Sequence, residues 1–334
     1  MFLSKHKNGY YYVYYSENGK RKNISTKTKS KHEATDFLIS FKAQVIDRRQ
    51  RKIVPILLSK LIFEFLKYSE SVHSYNHTVS LKSTFKAIKN YTGEIHASEL
   101  TREKILNYIQ YRSRLVTPFT VKRDIESLSS LFGWGIDHNY FNKNICKGIR
   151  RPRLPEKLPI YFTKSEFNIL LDNTSDDDLK DIFIFAVNTG LRQMELLRLE
   201  WNQIDIAKKV LYLDNRNHLT KSKRIRVLPL NDTAITVLKR RAENKESNHI
   251  VFTYHRGPMN QQFISHKIKK IIKQAGINQQ LNFHSLRHTF ASWLVQAGVS
   301  IYEVSKLLGH SNIRTTEIYA HLEIGNLHEA VKKL

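Results

Sequence analysis

The chain has 334 residues and carries 55 Lys+Arg against 30 Asp+Glu, a formal net charge of +25. That length fits two or three domains, and 41% hydrophobic residues supply material for packed cores, while a single cysteine, Cys146, excludes an intrachain disulfide and fits a reducing cytosol. So large a positive surplus points to a polyanionic partner, nucleic acid first, with charge that serves only solubility as the plain alternative.

The opening MFLSKHKNGYYYVYY has no apolar run long enough for a signal peptide, so the chain is expected to stay in the compartment where it is made. Tyr10–Tyr15 is aromatic and β-branched, Asn18-Gly19 offers a tight turn, and KRKNIST reads as the return strand of a hairpin. Ser30 and Glu33 have the spacing of a capping box, after which Ala34, Phe37, Leu38, Phe41 and Val45 recur at helical intervals. The first 52 residues hold 13 Lys/Arg and 4 Asp/Glu. They are expected to form a basic module of a small sheet with a helix across it, with Lys20, Arg21 and Lys22 beside the turn as candidate DNA contacts; an ordinary sheet with solvated lysines is the alternative.

Residues 53–146 change to helical patterning. Leu57, Leu58, Leu61, Ile62, Phe65 and Leu66 form one stripe, Leu81, Phe85 and Ile88 a second, and Ile105, Tyr108 and Ile109 a third. Val121, Ile125, Leu128 and Phe132 make a fourth that starts just after Pro118, a favoured first-turn residue, and Lys122 and Arg123 project from it as candidate DNA contacts. Residues 147–159, KGIRRPRLPEKLP, hold three of the seven prolines and five Lys/Arg, among them Arg150, Arg151 and Arg153. Proline removes backbone donors and disfavours helix before it, so this is an extended basic linker that could also lie on DNA. Residues 160–334 read as a mixed α/β domain in which KVLYLD (209–214) and RIRVLPL (224–230) alternate like two strands joined through NRNHLTKSK. The expected architecture is therefore multidomain and mainly α with small β-sheets.

Four local clusters in the last domain carry possible chemistry. Arg192 and Glu195 sit three apart after Gly190, a spacing that by itself is most often a surface ion pair. Lys221 lies on or beside the hairpin connection, where a lysine is ordinarily just solvated. HSLRH places His284, Arg287 and His288 on adjacent turns of one helix face, and LLGHSNIRTTEIYAH sets His310 after a glycine with Tyr319 nine residues on. With 16 tyrosines and 15 histidines in the chain, no cluster decides anything alone.

Taken in order, Arg192, Lys221, HSLRH, LGH and a tyrosine followed by Ala-His resemble the tyrosine recombinase, or phage-integrase, family. The flanking words NTGLRQMELLRLEW, HSLRHTFASWLVQAG and LLGHSNIRTTEIYAH are similar too, and ESLSSLFGWGIDHNYF resembles the end of that family's core-binding domain. The resemblance implies a helical core-binding domain at 53–146, a catalytic domain at 160–334, and an N-terminal 1–52 module that grips a second class of DNA site. It implies a site-specific enzyme that cuts and rejoins DNA through a 3′-phosphotyrosyl link, working as a homotetramer on two sites with accessory DNA-bending proteins as candidate partners. A prokaryotic or phage setting, in the cytoplasm with the nucleoid, follows from the same family.

The residue types suit that chemistry. Arg192 and Arg287 offer forked, permanently charged donors to phosphate oxygens and could stand in for the metal ion of other phosphoryl-transfer sites. Tyr319 suits the nucleophile; its free pKa of about 10 calls for a base, and His284 is the candidate. Lys221 suits the acid for the departing 5′ oxygen, His310 a hydrogen bond to a non-bridging oxygen, Glu195 support for Arg192 or a histidine, and His288 a structural role. The link stores the energy of the broken bond, so no cofactor and no ATP are expected, and no Gly-x-x-x-x-Gly-Lys loop occurs. Of the rivals, a zinc site on His284 and His288 lacks the HExxH glutamate, Ser285 standing in the position after His284. Serine hydrolase chemistry lacks Gly-x-Ser-x-Gly. A type IB topoisomerase shares the Arg, Lys, Arg, His and Tyr set, and a non-catalytic DNA binder would share only the charge. No helix pairs a basic face with a broad apolar one, which argues against a membrane surface as the partner.

Overall fold

A computed structural model describes all residues except 18–19, 51–52, 156–157, 214–225, 244–248, 255–256, 323–331 and 333–334. The chain divides into two compact units, Met1–Pro155 and Glu156–Leu334, the division falling inside the basic, proline-rich stretch.

The first unit opens with three antiparallel strands, β1 (Phe2–Lys5), β2 (Tyr11–Glu17) and β3 (Lys20–Ser25), followed by α1 (Lys31–Gln50). Register decides the two faces of this sheet. Leu3, Val13 and Ile24 lie opposite one another, and Val13 is fully buried, as is Ala34 of α1. Phe2 pairs with Tyr14 and Tyr14 with Asn23, so the other face carries Phe2, Tyr12, Tyr14, Arg21 and Asn23. The expected Ser30–Glu33 box is only half made. The Glu33 backbone N–H reaches Ser30 Oγ at 3.5 Å, but the Glu33 carboxylate accepts from the Thr28 hydroxyl instead.

Four helices complete this unit: α2 (Leu58–Val72), α3 (Tyr75–Thr92), α4 (Arg102–Ser113) and α5 (Pro118–Asp137), the last with Pro118 at its first position. Their buried side chains, among them Leu61, Phe65, Phe85, Ile105, Leu128 and Phe132, are members of the four apolar stripes; Leu57, the residue before α2, is exposed. Among the described residues of this unit, one carboxylate lies inside. Asp124 accepts from Thr84 Oγ1 at 2.7 Å, Arg112 Nε at 3.0 Å and Tyr108 OH at 3.3 Å, which satisfies a charge that burial alone would penalise. Arg123 lies against the same Asp124 at 3.7 Å, Arg151 is 3.6 Å from Glu126, and Arg150 and Arg153 are exposed.

The second unit begins with α6 (Lys164–Asp172), α7 (Asp177–Thr189) and α8 (Gln193–Leu197). Strands β4 (Ile204–Asp205), β5 (Val210–Leu213) and β6 (Arg226–Pro229) make an antiparallel sheet in which buried Leu211 faces buried Leu228. Then follow α9 (Asp232–Glu243), the short hairpin β7 (Thr253–Tyr254) and β8 (Gly257–Pro258), α10 (Gln261–Gln274), α11 (Phe283–Gln296) and α12 (Ile301–Leu308). Two 3-10 turns, Ile313–Thr315 and Glu317–Leu322, close the described chain. The main core of this unit gathers Phe183, Phe185, Leu196, Leu211, Leu238, Ile268 and Leu286, and a smaller cluster holds Phe290, Val295, Val304, Leu308 and Tyr319. Among the described residues no helix is long and apolar enough to cross a membrane.

Candidate active site

Two helix ends and one helix start build the site. Helix α7 stops at Gly190, whose φ of +61° is the left-handed conformation glycine adopts without strain; a Cβ there would also run into the Phe290 ring. Helix α12 starts with a full capping box, Ser300 with Glu303, and stops at Gly309, φ +66°. Helix α11 starts at the cap Asn282, whose Oδ1 accepts the His284 N–H at 2.9 Å, so HSLRH forms its first turns.

Arg287 lies where these ends meet, 4% exposed. It donates from Nη1 to the Gly190 carbonyl at 2.6 Å and from Nη2 to the Leu308 carbonyl at 2.8 Å, and Nη2 stands 3.0 Å from His310 Nε2. Because a guanidinium only donates, His310 Nε2 accepts; Nδ1 then carries the proton and donates to Thr316 Oγ1 at 2.8 Å. Burial, followed by the charges of Arg287, Arg192 and Arg226, pushes the His310 pKa down to about 4 and keeps the ring neutral. The imidazole expected to donate to a phosphate oxygen thus receives a hydrogen bond from Arg287 in this state. Burial and the neighbouring Arg192 lower the Arg287 pKa to about 9, which still leaves it charged at neutral pH.

Arg192 and Glu195 are a local pair, as their spacing suggests, but the carboxylate does more than cap. Glu195 accepts from Arg192 Nη1 at 2.7 Å, from the Arg192 backbone N–H at 3.0 Å and from Arg226 Nη2 at 3.1 Å. Burial would raise its pKa; Arg226 and Arg192 override that and hold it below the usual carboxylate range. The Arg192 side chain stays 43% exposed, open to a ligand.

Tyr319 is 2% exposed, and its hydroxyl oxygen lies in hydrogen-bond contact with His288 Nδ1 at 2.6 Å. Burial pushes the phenol up to about 12 against the opposing charge of Arg287, and burial with His284 and Arg287 pushes His288 down to about 4. At neutral pH the pair is a neutral phenol against a neutral imidazole. Here the structure differs from the sequence reading: His288, expected to be structural, meets the phenol, while His284, expected to be the base, stands edge-on to His288 with ring centroids 4.7 Å apart. Both rings share one helix face, and the turn bearing Tyr319 arrives nearer the second.

Lys221 lies outside the described residues, as does Lys223 two positions on. Arg226 escaped the sequence reading. Its signal was present, since RIRVLPL sets a charged residue in phase with Leu228 and Leu230, on a face that strand alternation reserves for the core.

Residues 161–325 match the phage integrase family. A tyrosine recombinase of Thermosipho africanus (strain TCF52B) is 27% identical over 288 residues, covering 83% of this chain and 100% of that protein. Two solved structures share the fold. The Tn1549 transposon integrase in complex with transposon right end DNA has a TM-score of 0.69 at 18% identity, covering 84% of this chain and 99% of that one. A lambda integrase tetramer bound to a Holliday junction has a TM-score of 0.66 at 18% identity, covering 93% and 95%. Fold and sequence together define an enzyme that breaks and rejoins DNA strands. Residues 161–325 are a domain of the phage integrase family, and the chain's relatives are tyrosine recombinases.

Proposed function

We propose that this recombinase works through Tyr319 as nucleophile, with Arg192 and Arg287 as the clamp on one scissile phosphate and Lys221 as the acid. The observation that carries the reading is the convergence of Arg192, Glu195, Arg287, His310, His288 and Tyr319 in one site although they come from four separate segments. The phenolic oxygen attacks phosphorus and its proton passes to an imidazole. The bond to the 5′ oxygen breaks, and that oxygen takes a proton from Lys221. Attack by a 5′ hydroxyl on the 3′-phosphotyrosyl link runs the same steps backwards, so no cofactor or external energy is required. The 2.6 Å contact favours His288 over His284 as the first proton acceptor, with His284 positioned to pass charge on to solvent. Geometry and charge supply most of the acceleration, as in other phosphoryl transfers.

The remaining roles are proposals of the same kind. Residues 53–146 embrace the core site, Lys122, Arg123, Arg150, Arg151 and Arg153 contact phosphates, and four copies assemble on two DNA sites, for which the lambda integrase tetramer is the precedent. Accessory DNA-bending proteins take part, and the enzyme acts in the cytoplasm at the nucleoid of a prokaryotic host. The 1–52 module grips a second class of site through the sheet face that carries Phe2, Tyr12, Tyr14, Arg21 and Asn23; Arg21→Ala should weaken that contact and reduce its salt dependence.

The test is covalent capture. The protein is incubated with a randomised pool of nicked duplexes and adducts are recovered after denaturation. The wild type should yield a 3′-phosphotyrosyl adduct on a defined sequence, and Tyr319→Phe should bind that sequence and yield none. An adduct on the Phe variant refutes the assignment, and a wild type that binds DNA without ever linking to it refutes catalysis.

A further inference from the structure

Arg226 takes no part in the steps above, yet it is built into the same site. It opens β6 with its side chain 14% exposed. Its Nη2 donates to Glu195 Oε2 at 3.1 Å and its Nη1 to the Leu308 carbonyl. Each acceptor is shared with one arm of the clamp. Glu195 also holds the Arg192 backbone N–H and Nη1; the Leu308 carbonyl also holds Arg287 Nη2, which in turn touches His310. Room for the guanidinium depends on Gly309, because a Cβ there would lie 2.5 Å from Nη1 and 2.7 Å from Cδ of Arg226. Only a forked cation reaches two acceptors lying in different directions; an ammonium is a point charge on a flexible stem.

We propose that Arg226 is a positioning residue that fixes the spacing of Arg192 and Arg287, so that both reach one phosphate, without touching that phosphate itself. The proposal rests on the recombinase reading and deepens it. Without Arg226, Glu195 loses one of its two side-chain cations and the end of α12 one of its two arginines. The two arms of the clamp then drift independently. Its second consequence is chemical: the defect concerns charge on the non-bridging oxygens, not the leaving group. A scissile methylphosphonate, which carries no negative charge, has less need of a correctly spaced pair of arginines.

The experiment uses the duplex captured on the wild type, in three forms: phosphodiester, methylphosphonate and 5′-bridging phosphorothiolate. Arg226→Lys and Arg226→Gln should slow adduct formation on the phosphodiester by at least about tenfold, a modest fraction of what loss of a direct donor costs. DNA affinity should stay within about twofold, since a buried group makes no phosphate contact. On the methylphosphonate the gap between variant and wild type should narrow severalfold, and on the phosphorothiolate it should not. Gly309→Ala, which crowds the native Arg226 and strains the left-handed turn that presents the Leu308 carbonyl, disturbs the same contacts, should give the same pattern and serves if the Arg226 variants unfold. Wild-type rates in both folded Arg226 variants overturn the proposal, as does an equal defect on all three substrates, which marks a general structural role. Rescue by sulfur alone also overturns it, since Arg226 would then act through the Lys221 acid. A wild type that forms no adduct refutes the recombinase reading itself.

Discussion

Replacing His288 by asparagine isolates the energetic consequence of burying the nucleophile against a neutral imidazole. Asparagine keeps a side-chain oxygen that can accept from Tyr319 and removes the titration. The His288 pKa falls from 6.5 to about 4, so the native state binds fewer protons than the unfolded chain across that interval. For a group depressed in this way, stability is full above the unfolded value and declines as pH falls toward the folded one. At about 1.4 kcal/mol per unit, the shift corresponds to about 3.5 kcal/mol; partial solvent contact of the ring reduces the expected effect to about 1.5 kcal/mol. His310 titrates in the same window, which makes the comparison with the variant, not the wild-type curve alone, the informative quantity. In a Trp134→Phe background the remaining tryptophans, Trp201 and Trp293, both lie in the second unit, so their fluorescence follows urea unfolding of that unit. Between pH 7 and pH 4.5 the wild type should lose about 1–2 kcal/mol more than His288→Asn. Parallel pH curves would refute the idea that His288 is held neutral by its surroundings.

Three further outcomes follow from the same contacts. Arg287→Lys should lower adduct formation by about 10²-fold or more, because one ammonium cannot serve the Gly190 and Leu308 carbonyls and a phosphate together; near-normal cleavage would remove Arg287 from the clamp. Lys221→Ala should be rescued by the phosphorothiolate substrate, whose sulfur leaves without an acid, while Lys223→Ala should show no such selective rescue. Asp124→Ala strands Arg112, Tyr108 and Thr84 in the first unit and should cost about 3–5 kcal/mol by urea unfolding followed at Trp134; a loss below about 1 kcal/mol would mean the network relaxes freely.

The helices α2 to α5 were legible because their apolar stripes repeat at the helical period and Pro118 marks a start, so local pattern and burial agree. The order of Arg192, His284, Arg287, His310 and Tyr319 was legible through family resemblance, since chain order survives when folding does not have to be computed. What pattern could not supply was which of two histidines four residues apart meets a tyrosine thirty-odd positions downstream. That depends on where the turn at Glu317–Leu322 lands, and the landing is set by packing on Phe290, Val304 and Leu308. Arg226 was missed for a related reason: a lone charge in an apolar phase says that it has a partner, not which one. At Ser30 the capping word was right, yet Thr28 competed for the Glu33 carboxylate at no cost to the helix start.

Two helix C-termini point their carbonyls at Arg287, one at Gly190 and one at Leu308. Each such end carries roughly half a negative charge, so together they amount to about −1. Among the described residues of the site, three guanidinium groups and the Glu195 carboxylate then leave about +1, to which a protonated Lys221 would add one more. The two helix ends thus temper the site's positive charge without removing it, so negative charge gathering on the oxygens of a phosphate held there would still meet a net positive surround.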